Sequence, residues 1–250
     1  MTTTTTTNDI VALLDSSGSM GALHTEPMEA LNGFISDQKS ANAEGTFSLW
    51  TFNTLATNVI DDQPLRDVKP YTDYTPSGMT AICDAIGKAI TMKLTKKNHK
   101  DVICLVVTDG LENASLEYKG SQIKRMISNM ETKHNWKFIY IGANQDVFTV
   151  GAGLGMNRDN CASYSQEVGG LIRVTRQMSA NVSAYRSTPS QEDRHLHLEI
   201  LPERAESCPS RKSRNLHSND SPSGLRPPPV VRQKTIRQVL LTPPPLVRQN

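Results

Sequence analysis

Two aspartates and three hydroxyl residues of this chain fall in three short loops, and together they make an oxygen-only ligand set for a hard cation. Asp15, Ser17 and Ser19 alternate in Asp15-Ser16-Ser17-Gly18-Ser19. Thr80 closes Ser77-Gly78-Met79-Thr80, and Asp109 lies in Thr108-Asp109-Gly110. Mg²⁺ takes octahedral oxygen coordination at about 2.0–2.1 Å and tends to keep water ligands. Mn²⁺ accepts the same oxygens. Two carboxylates neutralise a divalent ion without saturating it, which leaves it free to accept an anionic oxygen from outside. Gly18 is expected to permit the tight turn that lets the alternate residues converge. Each loop also has an ordinary reading. Asp15 to Ser19 could be a strand-to-helix turn with a capping serine, Thr80 a helix N-cap, and Asp109-Gly110 a plain turn. What sets the site reading apart is where the loops fall in the fold.

The elements around them follow from hydrophobic periodicity. Ile10 to Leu14 and Val102 to Val107 are wholly apolar runs, read as strands buried on both faces. Thr46 to Phe52 and Trp136 to Ile141 are read as two more strands, and Cys161 to Tyr164 as a last one. A short edge strand is expected near Val59-Ile60, followed by a loop from Asp61 to Gly78 that contains Pro64, Pro70 and Pro76. Met28, Leu31, Phe34 and Ile35 mark a helix that starts near Pro27. Ala81 to Ile90, Ile123 to Met130 and Leu171 to Tyr185 carry apolar stripes at helical spacing, and Val147 to Leu154 reads as a short helix. Strands alternating with helices predict an α/β fold, doubly wound, with a mostly parallel central sheet flanked by helices on both faces. Ligands of such sheets bind at the carboxyl ends of the strands. The three loops lie there.

Asp-Ser-Ser-Gly-Ser after an apolar strand, then Gly-Met-Thr, then Val-Val-Thr-Asp-Gly, resembles the von Willebrand factor A family and its metal-ion-dependent adhesion site. The family pattern is DxSxS, a Thr in the second loop and an Asp in the third, and all five positions are filled here. The resemblance implies that Ser17, Ser19 and Thr80 bind metal directly. It implies that Asp15 and Asp109 bind directly or through water, and that a Glu or Asp of a protein partner completes the shell. It covers roughly residues 8–187.

Composition divides the chain. Of its 250 residues, 37% are hydrophobic and the net charge is +2. Residues 188–250 hold ten Lys or Arg against six Asp or Glu, ten of the fourteen prolines, and no Phe, Tyr or Trp. Such a segment cannot bury enough apolar surface to offset its chain entropy, so 188–250 is expected to be a disordered, Pro-rich basic tail. It contains a near-repeat, Pro227 to Gln233 and Pro243 to Gln249. Residues 1–8 are expected to be a disordered Thr-rich start, leaving 9–187 as the folded domain. Cys83, Cys104, Cys161 and Cys208 lack zinc or disulfide spacing, and Cys104 reads as a buried free thiol. No signal-peptide pattern and no spanning apolar stretch is present. The expected location is cytoplasmic, with no membrane partner.

Glu112 and Asn113 read as solvent-exposed loop residues. Gly151 to Gly155 reads as a helix-ending turn, since it does not match a phosphate loop. His195 and His197 lack the neighbours of a metal pair. There is no GxSxG, P-loop or HExxH, so the chain is not expected to be an enzyme. The reading is an intracellular module that binds Mg²⁺ and uses it to capture an acidic residue of a protein partner. The alternatives are an accessory subunit of an ATPase or metal-chelatase-like assembly, a metal-dependent hydrolase, and a nucleic-acid binder acting through the basic tail.

Overall fold

In the computed structural model, which describes residues 8–143 and 146–188, the apolar run Asp9–Asp15 forms strand β1 with all seven residues buried. The other elements follow in chain order. Helix α1 is Glu26–Ala41, strand β2 is Thr46–Phe52 and strand β3 is Ala56–Pro64. Helix α2 is Ile82–Leu94, β4 is Val102–Thr108, α3 is Gly120–His134 and β5 is Lys137–Ala143. Helix α4 is Val147–Leu154, β6 is Cys161–Tyr164 and α5 is Gly170–Ser187. The six strands form one sheet in the order β3-β2-β1-β4-β5-β6. Only β3 runs antiparallel to its neighbour. The doubly wound, mostly parallel sheet expected from the sequence is what the chain builds.

Alternate residues of the central strands feed two cores, as the two-residue period of a strand requires. Ile10, Ala12 and Leu14 of β1, with Ile103, Leu105 and Val107 of β4, pack against α1 and α5. Val11 and Leu13, with Cys104 and Val106, pack against α2, α3 and α4. Burial on both faces explains why these strands read as unbroken apolar runs. Cys83, Cys104 and Cys161 are buried free thiols.

The sheet order also fixes the place for chemistry. From β1 the chain goes through α1 to β2 on one side, and α2 later returns it to β4 on the other. The two halves diverge between the carboxyl ends of β1 and β4, the topological switch point of an open α/β sheet. Asp15 ends β1, and Asp109 follows β4.

Two expectations change. The edge strand runs to Pro64 rather than stopping near Ile60, and a short 3₁₀ turn, Leu65–Asp67, precedes the loop. The polar residues Asp61 to Gln63 looked like loop because their partners are remote in sequence. Asp62 accepts from Thr46 Oγ1 at 2.6 Å and from Lys93 Nζ. Second, Asn8 belongs to the fold: it is buried and donates through Nδ2 to Asp101 O at 3.1 Å. The readings of 1–7 and of 189–250, including His195, His197, Cys208 and the proline triplets, lie outside the described residues.

Lys93 ties the amino end of the sheet together. It is only 3% exposed. Its Nζ donates to Asp9 Oδ2 at 2.8 Å, to Thr46 Oγ1 at 3.2 Å and to Asp62, so one residue of α2 joins β1, β2 and the edge strand β3. A charge taken this far from water is tolerable only while its partners remain. Lys93→Met leaves Asp9 buried and uncompensated. It is expected to lower unfolding stability by about 3–5 kcal/mol in urea titration, and a loss below about 1 kcal/mol would show the network to be incidental.

Candidate metal centre

The five expected ligand residues come from three loops that the fold binds directly to one another. Ser16 N donates to Phe52 O at 2.7 Å, anchoring the first loop to the end of β2. Ser77 N donates to Ser16 O at 2.8 Å and Gly18 N to Gly78 O at 3.0 Å, joining the first loop to the second. Asn113 N donates to Thr80 O at 3.0 Å, and Thr80 N donates to Asn113 Oδ1 at 2.8 Å, joining the second to the third. These bonds satisfy backbone groups that strand ends leave open, and they fix the loops in mutual register.

Within this frame Asp15 is fully buried. Its Oδ1 accepts from Ser17 N at 2.6 Å, and its Oδ2 accepts from Thr108 Oγ1 at 2.5 Å. Tyr74 Oη donates to the Asp15 carbonyl at 2.6 Å. Ser17 Oγ lies 3.2 Å from Ser19 Oγ, and Ser19 Oγ donates to Asp109 Oδ1 at 2.6 Å. Thr80 is buried, and its Oγ1 lies 3.0 Å from where a Gly110 side chain would begin. Any larger residue at 110 would push the hydroxyl aside. The structure therefore brings Asp15, Ser17, Ser19 and Asp109 into one hydrogen-bonded chain. It sets Thr80 against the Asp109-Gly110 turn.

The donor set fits a hard divalent cation. Asp109 Oδ2 is buried and has no hydrogen-bond partner. A buried carboxylate oxygen without a donor is costly, and a cation is the group that would relieve it. Cis ligands of an octahedral ion at 2.0–2.1 Å stand about 3 Å apart, close to the Ser17–Ser19 and Ser19–Asp109 separations. Ser17, Ser19, Thr80 and Asp109 would offer direct oxygens. Both oxygens of Asp15 are already engaged, so it acts as the charge that organises the loop. Among the described residues no group of three or more His, Cys, Asp or Glu forms an alternative metal cluster.

The ordinary readings of the loops fare differently. Ser17 precedes a 3₁₀ turn, Gly18–Leu23, but its side chain makes no capping hydrogen bond. Helix α2 begins after Ala81, so Thr80 is not its cap. Gly18 sits in the tight turn expected there, closed by Met20 N donating to Ser17 O at 3.2 Å, but its backbone is not left-handed. The left-handed residue is Gly78, at φ +76°, where an added Cβ would sit 2.7 Å from Thr54 Oγ1. The role of Gly18 is to bring its N–H close to Gly78.

Glu112 and Asn113 are exposed, yet they are not idle loop residues. Asn113 pairs with Thr80 as above. Glu112 accepts from Cys83 N at 2.8 Å, Ala114 N at 3.0 Å, and Ser115 N and Oγ at 2.8 and 2.7 Å. Burial alone would raise its carboxyl, but these donors hold it below the ordinary glutamate value. It thus satisfies an open N–H at the start of α2. Thr108 was readable as a hydroxyl ending an otherwise aliphatic strand. Tyr74, in a proline-flanked loop, leaves no such signal.

Burial raises Asp15 to about 6 against its hydrogen bonds from Thr108 and Ser17, and the charge of Asp109 adds to the rise. Burial raises Asp109 as well, opposed by Ser19. A carboxyl whose folded value lies above its unfolded one stabilises the fold at low pH. That contribution is lost as pH rises through the folded value. In EDTA, the wild type is therefore expected to lose about 2–3 kcal/mol between pH 4 and pH 7 relative to Asp15→Asn, as read by urea unfolding at each pH. Parallel profiles for the two proteins would contradict the buried-charge description.

No protein-family model matches the chain, and no curated protein matches it. Solved structures do. One is a von Willebrand factor type A protein from Catenulispora acidiphila, at 18% identity and a TM-score of 0.51, with 71% of this chain and 43% of that chain covered. Another is proximal thread matrix protein 1 from the mussel byssus, at 17% identity and a TM-score of 0.51, with 70% of this chain and 46% of that one covered. The chain thus spans less than half the length of either. At such identities the likeness is one of fold, and it shows that this chain carries a von Willebrand factor A-type fold.

Proposed function

We propose that the domain binds Mg²⁺, or Mn²⁺, through Ser17, Ser19, Thr80 and Asp109 with Asp15 behind them, and uses the bound ion to capture an Asp or Glu of a protein partner. The observation that carries this reading is the buried, unpartnered Asp109 Oδ2 in a loop frame that also holds Ser17, Ser19 and Thr80. When bound, the cation supplies an electrophilic position that accepts a carboxylate oxygen. The residues of the chain do the rest. Thr108 and Ser17 N–H keep Asp15 oriented, the hydroxyls supply neutral oxygens, and the charge of two carboxylates stops at neutralisation.

A binding module accounts for these features better than a hydrolase. Both Asp15 oxygens already accept hydrogen bonds, and Glu112 is committed to the start of α2. Neither is placed as a general base. The cytoplasmic setting inferred from the sequence belongs to the same proposal. Among the described residues no helix is long and apolar enough to cross a membrane.

Affinity capture from lysate tests the reading. Wild type in Mg²⁺ is expected to retain a set of proteins that disappears in EDTA and with Thr80→Ala or Asp109→Ala, each variant first shown by circular dichroism to be folded. Recovery of the same proteins in every condition would sink metal-dependent capture.

A further inference from the structure

Exposed large apolar side chains are concentrated at the end of the sheet that bears the metal site. Seven stand out among the described residues. Five of them, Leu55, Met79, Leu111, Leu116 and Val168, lie in loops at the carboxyl ends of the strands. The other two are Val59, in the edge strand, and Leu94, which ends α2. Single exposed apolar residues are normal, but a concentration of them marks an interaction surface.

Two of the five, Met79 and Leu111, sit on the loops that build the site, and Leu55 sits on the β2–β3 turn bonded to them. Leu55 is 69% exposed, Met79 51% and Leu111 57%. Met79 directly precedes Thr80, and Leu111 follows Asp109-Gly110. Their loops are bonded to one another. Met79 N donates to Thr54 Oγ1 at 3.0 Å and Ala81 N to Asn53 O at 2.8 Å, which holds the Leu55 turn against the Met79 loop. The Thr80–Asn113 pair holds the Met79 loop against the Leu111 loop. None of the three side chains belongs to either core.

The charges of this end narrow the partner further. Residues 53–55, 71–80, 109–119 and 165–169 carry Asp73, Asp109, Glu112, Glu117 and Glu167 against Lys119, with Glu117 paired to Lys88 of α2 at 2.8 Å. A densely acidic partner is repelled by such a surface. A single carboxylate can enter where the bound ion offsets that field, provided its neighbours are not acidic.

We infer that the ligand is a segment with one Asp or Glu flanked within two residues by large aliphatic or aromatic side chains, which pack on a rim made by Leu55, Met79 and Leu111. This rests on the metal-capture reading above and specifies its partner. The carboxylate supplies the anchor, and the apolar flanks exclude water around it, as the surround of an interface hot spot does. Methionine suits such a rim because its unbranched thioether adapts to different side chains.

The test uses displayed random peptides with a fixed central aspartate, selected on the full chain in Mg²⁺ and in EDTA. The peptides enriched only in Mg²⁺ are expected to carry Leu, Ile, Met or Phe next to the aspartate or one residue beyond. The best of them, titrated by fluorescence anisotropy, is expected to bind the Leu55→Ser/Met79→Ser/Leu111→Ser variant about ten-fold or more weakly. Mg²⁺ binding by calorimetry is expected to stay unchanged in that variant, and Val59→Ser is expected to bind the peptide like wild type. Mg²⁺-dependent peptides without apolar flanks, or equal affinity for the triple variant, would overturn the rim and leave metal capture standing. No Mg²⁺-dependent enrichment at all would overturn metal capture, and the rim with it.

Discussion

A carboxylate buried at the point where the sheet's halves diverge, with a second half-buried beside it, sets the terms for the rest of this structure. Asp15 is buried at the end of β1, and Asp109 keeps one oxygen without a donor just after β4. Left alone, such a pair opposes folding at neutral pH. Burial pushes both carboxyls upward, and the charge of Asp109 adds to the rise at Asp15. Hydrogen bonds from Thr108, from the Ser17 N–H and from Ser19 offset part of that cost. They leave an electrostatic deficit that a divalent cation is suited to fill. On the proposed reading the site is arranged for charge it does not itself contain.

A site of this kind needs a rigid support, because a small shift would let water reach Asp15. The parallel sheet supplies it. Its central strands are packed on both faces, so the ends of β1 and β4 are fixed from both sides. At the opposite end Lys93 binds β1, β2 and β3 together through a buried ionic network. Helix α5 is held to α1 in turn: Gln38 Nε2 donates to Ser179 O at 2.9 Å, and the buried Arg186 donates to carbonyls of Gln38, Asn42 and Glu44. That leaves the loops free to spend their polar groups on one another and on the site.

What could be read from the sequence follows the range of the interactions. The buried strands and the amphipathic helices are local patterns, and each formed where its period placed it. That the five candidate site residues lie together was legible because their loops each adjoin an element with a strong pattern. Asp61 to Gln63 were not legible as strand, since Asp62 depends on Lys93, a residue of a different element. Glu112 and Asn113 looked like free loop because their partners, Cys83 and Thr80, belong to the preceding loop and helix. Gly18 and Gly78 show the same limit. Both are glycines beside a site residue, and only the folded backbone reveals that Gly78 takes the left-handed conformation while Gly18 supplies a close approach.

The surface around the site follows from the same logic. On the proposed reading, an ion neutralised but not saturated would invite a foreign carboxylate, and an apolar rim in an otherwise acidic field would favour one that arrives with hydrophobic neighbours. The central claim is that Ser17, Ser19, Thr80 and Asp109 hold a divalent ion. Crystals soaked in Mn²⁺ test it most directly through anomalous X-ray scattering. The account predicts one strong anomalous peak within bonding distance of the two serine hydroxyls, the Thr80 hydroxyl and Asp109, directly or through water. A map with no peak between those loops, at a Mn²⁺ concentration that loads other oxygen-ligand sites, would contradict it.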